Sequence, residues 1–266
     1  MRSVLKYIAL AILVTLANGV VARAQGPGAL DQIIKRGTVI IGIDLGAPPY
    51  GYLDDNKQPT GSDVETAKLL AKDLGVTLKI QPITSENRIP YLLSNRVDLV
   101  MSTFSITPER AKSITFSAPY GTNNSVIFAA KDTNIKSATD LAGKRVAVAR
   151  GTGNESLLIA IAPKGVQIVR FDDEASALAA LGAGQVDAYC SDESIARSLN
   201  GRFPGKFETK FFVENGGDFY AIGMKHGEPD LLRWVDTFVF YHRVNGDLAR
   251  IFEKYVGAPL APLPAF

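Results

Sequence analysis

The chain has 266 residues, with 29 Lys and Arg against 27 Asp and Glu, two His, one Cys and 46% apolar residues. A near-neutral balance without a basic cluster gives no footing for nucleic acid, and a lone Cys190 excludes an intramolecular disulfide. His226 and His242 stand far from any Cys and lack ligand spacing, so no metal site is expected.

Residues 1–24 read as an export signal. Arg2 and Lys6 give the positive start, residues 7–17 are apolar, and Ala22-Arg23-Ala24 is a small-x-small cleavage site before Gln25. The run falls short of the roughly 20 apolar residues that span a bilayer. No Cys follows the cleavage site, which argues against a lipid anchor. Loss of the segment removes three basic residues, leaving 26 basic against 27 acidic and a net charge of −1. The remaining chain, about 240 residues, suits two lobes better than one core.

Strands and amphipathic helices then alternate, predicting α/β architecture with mainly parallel sheets. A buried strand is expected over 38–43. Ser62 opens a helix with Glu65 three residues on, a capping box, and Gly75 stops it. A strand over 78–82, a helix over 88–95 and a strand over 97–101 complete the first cycle. The second holds strands over 126–130, 145–149, 167–171 and 187–190, with helices after Gly153 and over 173–181. A strand over 220–224 leads to helices over 230–244 and 247–255, and the Pro-rich tail over 259–266 reads as loosely ordered.

Three stretches carry chemistry. In residues 101–110, a strand end presents Ser102, Thr103 and Ser105, Thr107 caps a helix opened by Pro108, and Arg110 sits in its first turn. A guanidinium beside hydroxyls and free helical N–H groups is a carboxylate receptor; the same stretch also reads as a plain helix start with a solvated arginine. Gly151-Thr152-Gly153 lets backbone N–H groups approach an anion, or is a simple strand-to-helix turn; without a third glycine it is no dinucleotide fingerprint, and no cofactor is expected. Asp192 follows a strand, where ligands bind in open α/β sheets, and can take an ammonium or cap a helix. One cation with hydroxyls, one anion and one glycine turn together make a receptor for a zwitterion.

The stretches GSDVETAKLLAKDLG (61–75), MSTFSITPERAKSITFSAPY (101–120), LAGKRVAVARGTGNE (141–155) and AGQVDAYCSDES (183–194) resemble the polar amino-acid-binding proteins of ABC importers, the extracellular solute-binding proteins of family 3. The resemblance implies a Venus-flytrap, or type II periplasmic binding protein, fold: two α/β lobes joined by two hinge crossings, near 122–125 and 216–220. Lobe 1 would comprise 25–123 and 219–266, and lobe 2 residues 124–218. It further implies a periplasmic monomer that binds without catalysis and delivers its amino acid to an inner-membrane permease. By the same carry-over, Arg110 holds the ligand α-carboxylate with Ser105, Thr152 and Gly153, while Asp192 takes the α-ammonium with Ser102 and Thr103.

The pattern also departs from the family. Two positions that are often aromatic are Ala47 and Ser62 here, with Tyr50 and Tyr52 nearby as substitutes, although Tyr50 reads equally as a packing residue behind the site. PITSENRIPYLL (82–93) resembles the glutamate/aspartate branch, which implies that Ser85 and Arg88 meet the distal end of the ligand. That branch has an arginine at Asp44 and a histidine at Glu174. The exchange at Asp44 disfavours a second carboxylate by several kcal/mol at low effective dielectric, and Asp44 is expected to pair with Arg88 or to cap a turn. A polar, neutral or bifunctional side chain is favoured. The rival from another class is a secreted enzyme resembling cyclohexadienyl dehydratase, for which Glu174 and Asp44 are the only candidate acids or bases.

Overall fold

The computed structural model describes residues 26–213 and 218–264. The expected export signal and Gly216-Gly217 lie outside the described residues. In chain order the elements are α1 (Ala29–Arg36), β1 (Thr38–Ile43), β2 (Tyr52–Leu53), β3 (Pro59–Thr60), α2 (Ser62–Leu74), β4 (Thr77–Pro82), α3 (Arg88–Leu93), β5 (Leu99–Val100), α4 (Pro108–Ala111) and β6 (Thr115–Asn123). They continue with β7 (Ser125–Ala130), β8 (Arg145–Ala149), α5 (Gly153–Ile161), β9 (Gln167–Phe171), α6 (Glu174–Gly182), β10 (Ala188–Asp192), α7 (Glu193–Arg202), β11 (Phe207–Phe212), β12 (Asp218–Met224), α8 (Pro229–Val244) and α9 (Asp247–Val256).

Two five-stranded sheets result, ordered β4-β1-β5-β12-β6 and β11-β7-β10-β8-β9. The chain passes from β6 of the first sheet to β7 of the second through Asn124 alone, and returns between β11 and β12. The first sheet packs with α2, α8 and α9, the second with α5, α6 and α7. These are the two lobes.

The sheets are mixed rather than mainly parallel. β1 runs parallel to β4 and β5, and β8 parallel to β9 and β10. The crossing strands break the pattern: β12 is antiparallel to β5 and β6, and β7 antiparallel to β10 and β11. The chain leaves the first sheet along β6 and comes back along β12 beside it, so these two strands run in opposite directions. β6 escaped the sequence reading because TFSAPYGTN contains Pro and Gly and shows no alternation.

Helix α2 illustrates how sequence becomes packing. Val64, Ala67, Leu70 and Ala71 are buried at helical spacing while Lys68 and Lys72 face solvent. Gly75, at φ 68°, ends it by donating to the carbonyls of Ala71 and Lys72. The expected capping box does not form: Gly61 takes the N-cap position, and Glu65 instead accepts from Tyr255 (2.7 Å) and Lys254 (3.4 Å) of α9. His242 of α8 sits between Asp247 of α9 (2.6 Å) and Asp73 of α2 (2.7 Å), tying three helices together. The tail is less loose than expected, since Arg243 donates to the carbonyl of Leu263 at 2.7 Å.

The largest buried cluster runs through both lobes, from Val39, Ile41 and Leu99 to Phe128, Ala177 and Tyr189. Between them Tyr220 of β12 meets Tyr120 of β6 edge-on at 4.9 Å and Tyr50 at 6.0 Å. The Tyr220 ring crosses β6 at Gly121, where an added Cβ would stand 2.1 Å from ring carbon Cζ. Gly121→Ala is therefore expected to destabilise the protein by about 1–3 kcal/mol through overpacking, read as a lowered midpoint in urea unfolding.

Candidate functional site

Side chains from both lobes converge on one narrow cavity at the carboxyl ends of strands, where open α/β sheets bind ligands. From the first lobe come Ala47, Arg88, Thr103 and Ser105. From the second come Thr152, Gly153 and Asn154 at the start of α5, Glu174 at the start of α6, Asp192 at the end of β10, and Ile195.

The lobes approach each other backbone to backbone. Gly151, at φ 71°, lies so close to the opposite lobe that an added Cβ would stand 2.8 Å from Glu86 Cα. At Gly153 a Cβ would come within 2.9 Å of Ser105 Oγ. Arg110 bridges the gap, donating from Nη1 to the Ser105 carbonyl and from Nη2 to the Gly151 carbonyl, each at 2.8 Å. Thr107 caps its helix as expected, its Oγ1 accepting from the Arg110 N–H at 3.2 Å. The guanidinium groups of Arg110 and Arg88 lie 5.0 and 5.3 Å from the centre of the Phe104 ring, a cation–π arrangement that helps offset desolvation of both cations. Burial lowers the Arg110 pKa to about 10, with Arg88 adding repulsion and Asp218 opposing it.

Asp192 is gripped from two sides, accepting from Asn123 Nδ2 (2.6 Å) and Asn154 Nδ2 (2.9 Å). Burial raises its pKa well above the usual carboxylate range, and Glu174 nearby pushes the same way. Glu174 accepts from the hydroxyls of Tyr189 and Ser191, yet burial still lifts its carboxyl to about 7. Asp63 accepts from the Thr103 N–H (3.0 Å) and the Tyr120 hydroxyl (2.7 Å) and is likewise lifted to about 7 by burial.

Asp44 does cap a turn, its Oδ1 accepting from the Gly46 N–H at 2.8 Å. It makes no direct ion pair with Arg88. Both use Ser102 instead: the Asp44 N–H and Arg88 Nη2 each donate to Ser102 Oγ at 3.3 Å. Asp44 Oδ2 and Arg88 Nε are buried without a hydrogen-bond partner, an expensive condition for charged groups that a polar ligand would relieve.

Of the residues singled out from sequence, Arg88, Thr103, Ser105, Thr152, Gly153 and Asp192 line the cavity, with Ser102 and Asp44 joined behind Arg88 and Arg110 across the lobe gap. Ser85 is buried where Gly151 closes on its backbone, and Tyr50 packs in the core against Tyr220, outside the cavity lining. Asn123, Asn154, Asp63 and Phe104 went unnoticed. Phe104 lies within the 101–110 stretch, and Asn154 follows the glycine turn; nothing local marked Asp63 or Asn123.

Residues 39–258 match the bacterial extracellular solute-binding proteins, family 3. The chain belongs to this family. It is 31% identical over 237 residues to the L-cystine-binding protein TcyJ of Escherichia coli K12, covering 87% of each chain. Among solved structures, a mutant of ArgBP from T. maritima superposes with a TM-score of 0.80 at 32% identity, covering 86% of this chain and all of that one. An ancestral amino acid-binding protein, described as a precursor of cyclohexadienyl dehydratase, gives 0.77 at 34% identity, with the same coverages. The family 3 fold is the two-lobed type II periplasmic-binding-protein architecture that the sequence implied.

The raised carboxyls set a pH dependence. In the unfolded chain these groups ionise near 4, whereas Asp63 and Glu174 keep their protons up to about 7 when folded. The folded state thus binds more protons between about pH 4 and 7, so stability is present below that window and falls as pH rises through it. Melting temperature should be higher at pH 5 than at pH 8. Asp63→Asn with Glu174→Gln should flatten that slope, as read by differential scanning calorimetry.

Proposed function

We propose that this family 3 protein is the periplasmic substrate-binding component of an amino-acid ABC importer, working as a monomer that closes on one amino acid and then docks on an inner-membrane permease. The observation that carries the reading is that the two lobes contribute a cation and a carboxyl group to one cavity, Arg88 from one and Asp192 from the other, with Arg110 spanning the gap between the lobes beside it. A ligand carrying both charges stabilises the closed form by engaging both lobes, and one lacking either does not. The lobes are read as 25–123 with 219–266, and 124–218.

In this reading Arg110, Ser105, Thr152 and Gly153 receive the α-carboxylate, and Asp192, Ser102 and Thr103 the α-ammonium. Beyond them, Arg88 faces two carboxyls, Asp44 and Glu174. That balance favours a side chain with a cation, an amide or both charges over a plain second carboxylate. Relatives named as L-cystine-, arginine- and glutamine-binding proteins support it, and one named as a glutamate/aspartate import protein does not.

A second reading has one observation in its favour. A buried carboxyl with a pKa of about 7, as at Glu174, is poised as a general acid, and the ancestral relative is named as a dehydratase precursor. The two readings separate in one experiment. A thermal-shift screen of the chain lacking residues 1–24 against the amino acids, L-cystine and prephenate is expected to find an amino acid that, at 100 times its dissociation constant, adds about 2.7 kcal/mol. Arg110→Ala and Asp192→Ala should each abolish the shift. A stabilisation by prephenate alone, with its consumption followed by absorbance, would overturn the transport reading.

A further inference from the structure

Among the described residues, three that are not glycine have a positive φ: Lys57, Asn95 and Thr103. Lys57 and Asn95 are exposed turn residues, and asparagine tolerates that conformation. Thr103 differs. It is β-branched, buried and at the cavity wall, at φ 40°. Such a conformation is sparsely populated and persists only when its surroundings over-determine it.

What determines it is Asp63. This residue sits in the first turn of α2, 2% exposed, with its own N–H fixed on the Tyr50 carbonyl at 2.9 Å. Its Oδ2 accepts from the Thr103 N–H, and its Oδ1 from the hydroxyl of Tyr120. Tyr120 lies on β6, three residues before Asn123, whose side chain holds Asp192 from behind. The same crossing strand thus reaches both walls of the cavity, one through Tyr120 and Asp63, the other through Asn123.

We propose that Asp63 is a positioning residue of the binding site: it holds Thr103 in the conformation that faces the ligand ammonium, and through Tyr120 it links that wall to the strand that crosses between the lobes. This rests on the amino-acid reading only for what Thr103 faces. Asp44 and Arg88 are the charged groups that act on Asp63, with the hydroxyls of Tyr50, Tyr120 and Tyr220 around it, and none of the charged groups is ion-paired to it. With its carboxyl at about 7, the acceptor strength offered to the Thr103 N–H changes across neutral pH.

The test compares wild type, Asp63→Asn and Tyr120→Phe. L-Cystine, L-arginine and L-glutamine are titrated calorimetrically into each, and the Thr103 amide resonance of the ligand-free protein is followed by NMR from pH 5.5 to 8.5. The expected result is that Asp63→Asn weakens whichever probe binds about tenfold and Tyr120→Phe about threefold, in the range of hydrogen bonds to a charged group. The Thr103 amide should titrate in wild type and lose that titration in Asp63→Asn. Unchanged affinity in both variants, or an amide titration that survives in Asp63→Asn, would overturn the proposal. If none of the three probes binds wild type, the amide titration alone decides the role of Asp63, and the amino-acid reading is judged by the full thermal-shift screen.

Discussion

Burial of charge between two lobes is the constraint on which this protein depends. Asp44, Asp63, Glu174 and Asp192 are buried around a single cavity, with the buried Arg88 and the half-buried Arg110 as the cations among them. A carboxylate removed from water is tolerable only if it is hydrogen-bonded, paired or protonated. Each solution is in use. Asp192 takes two amide donors, Asp63 takes an N–H and a hydroxyl, Glu174 takes two hydroxyls and retains its proton near neutrality, and Asp44 caps a turn. Asp44 Oδ2 and Arg88 Nε stay buried without a hydrogen-bond partner.

The crossing strands convert that local chemistry into a two-lobed machine. β6 and β12 run antiparallel in the first sheet, and β6 continues into β7 of the second after one residue. Neighbouring groups on β6 therefore face different tasks: Gly121 accepts the Tyr220 ring, Tyr120 reaches Asp63, and Asn123 reaches Asp192. A change in the angle between lobes has to pass through this strand and through the return between β11 and β12. The cavity walls and the crossing are coupled by direct hydrogen bonds, a physical basis for ligand-dependent closure that needs no long pathway.

The close approach of the lobes explains why small residues recur at the rim. Gly151 and Gly153 permit backbone contact with Glu86 and Ser105, and Arg110 spans the remaining gap through two carbonyl oxygens. The same guanidinium that would hold a carboxylate also joins the lobes. In the proposed reading, recognition and closure draw on one side chain, and selectivity among amino acids falls to the end of the cavity where Arg88 lies near Asp44 and Glu174.

Local pattern carried much of the fold and half of the site. The apolar run of β1, the periodicity and terminal glycine of α2, and the Thr107-Pro108 start of α4 are set by interactions within a few residues, so the sequence alone determined them. The motif around residues 101–110 likewise placed Arg110, Thr103 and Ser105, because strand end, cap and helix are contiguous. Only the tertiary structure decided that Asp63 and Asn123 support the site, that Tyr50 belongs to the core, and that Ser102 stands between Asp44 and Arg88. Those roles come from partners 14 to 170 positions away along the chain. An ionisable side chain in an amphipathic helix or at a strand end reads the same whether it meets solvent or a distant amide. Its desolvation and its donors are properties of what packs against it, and that is fixed only when the two lobes come together.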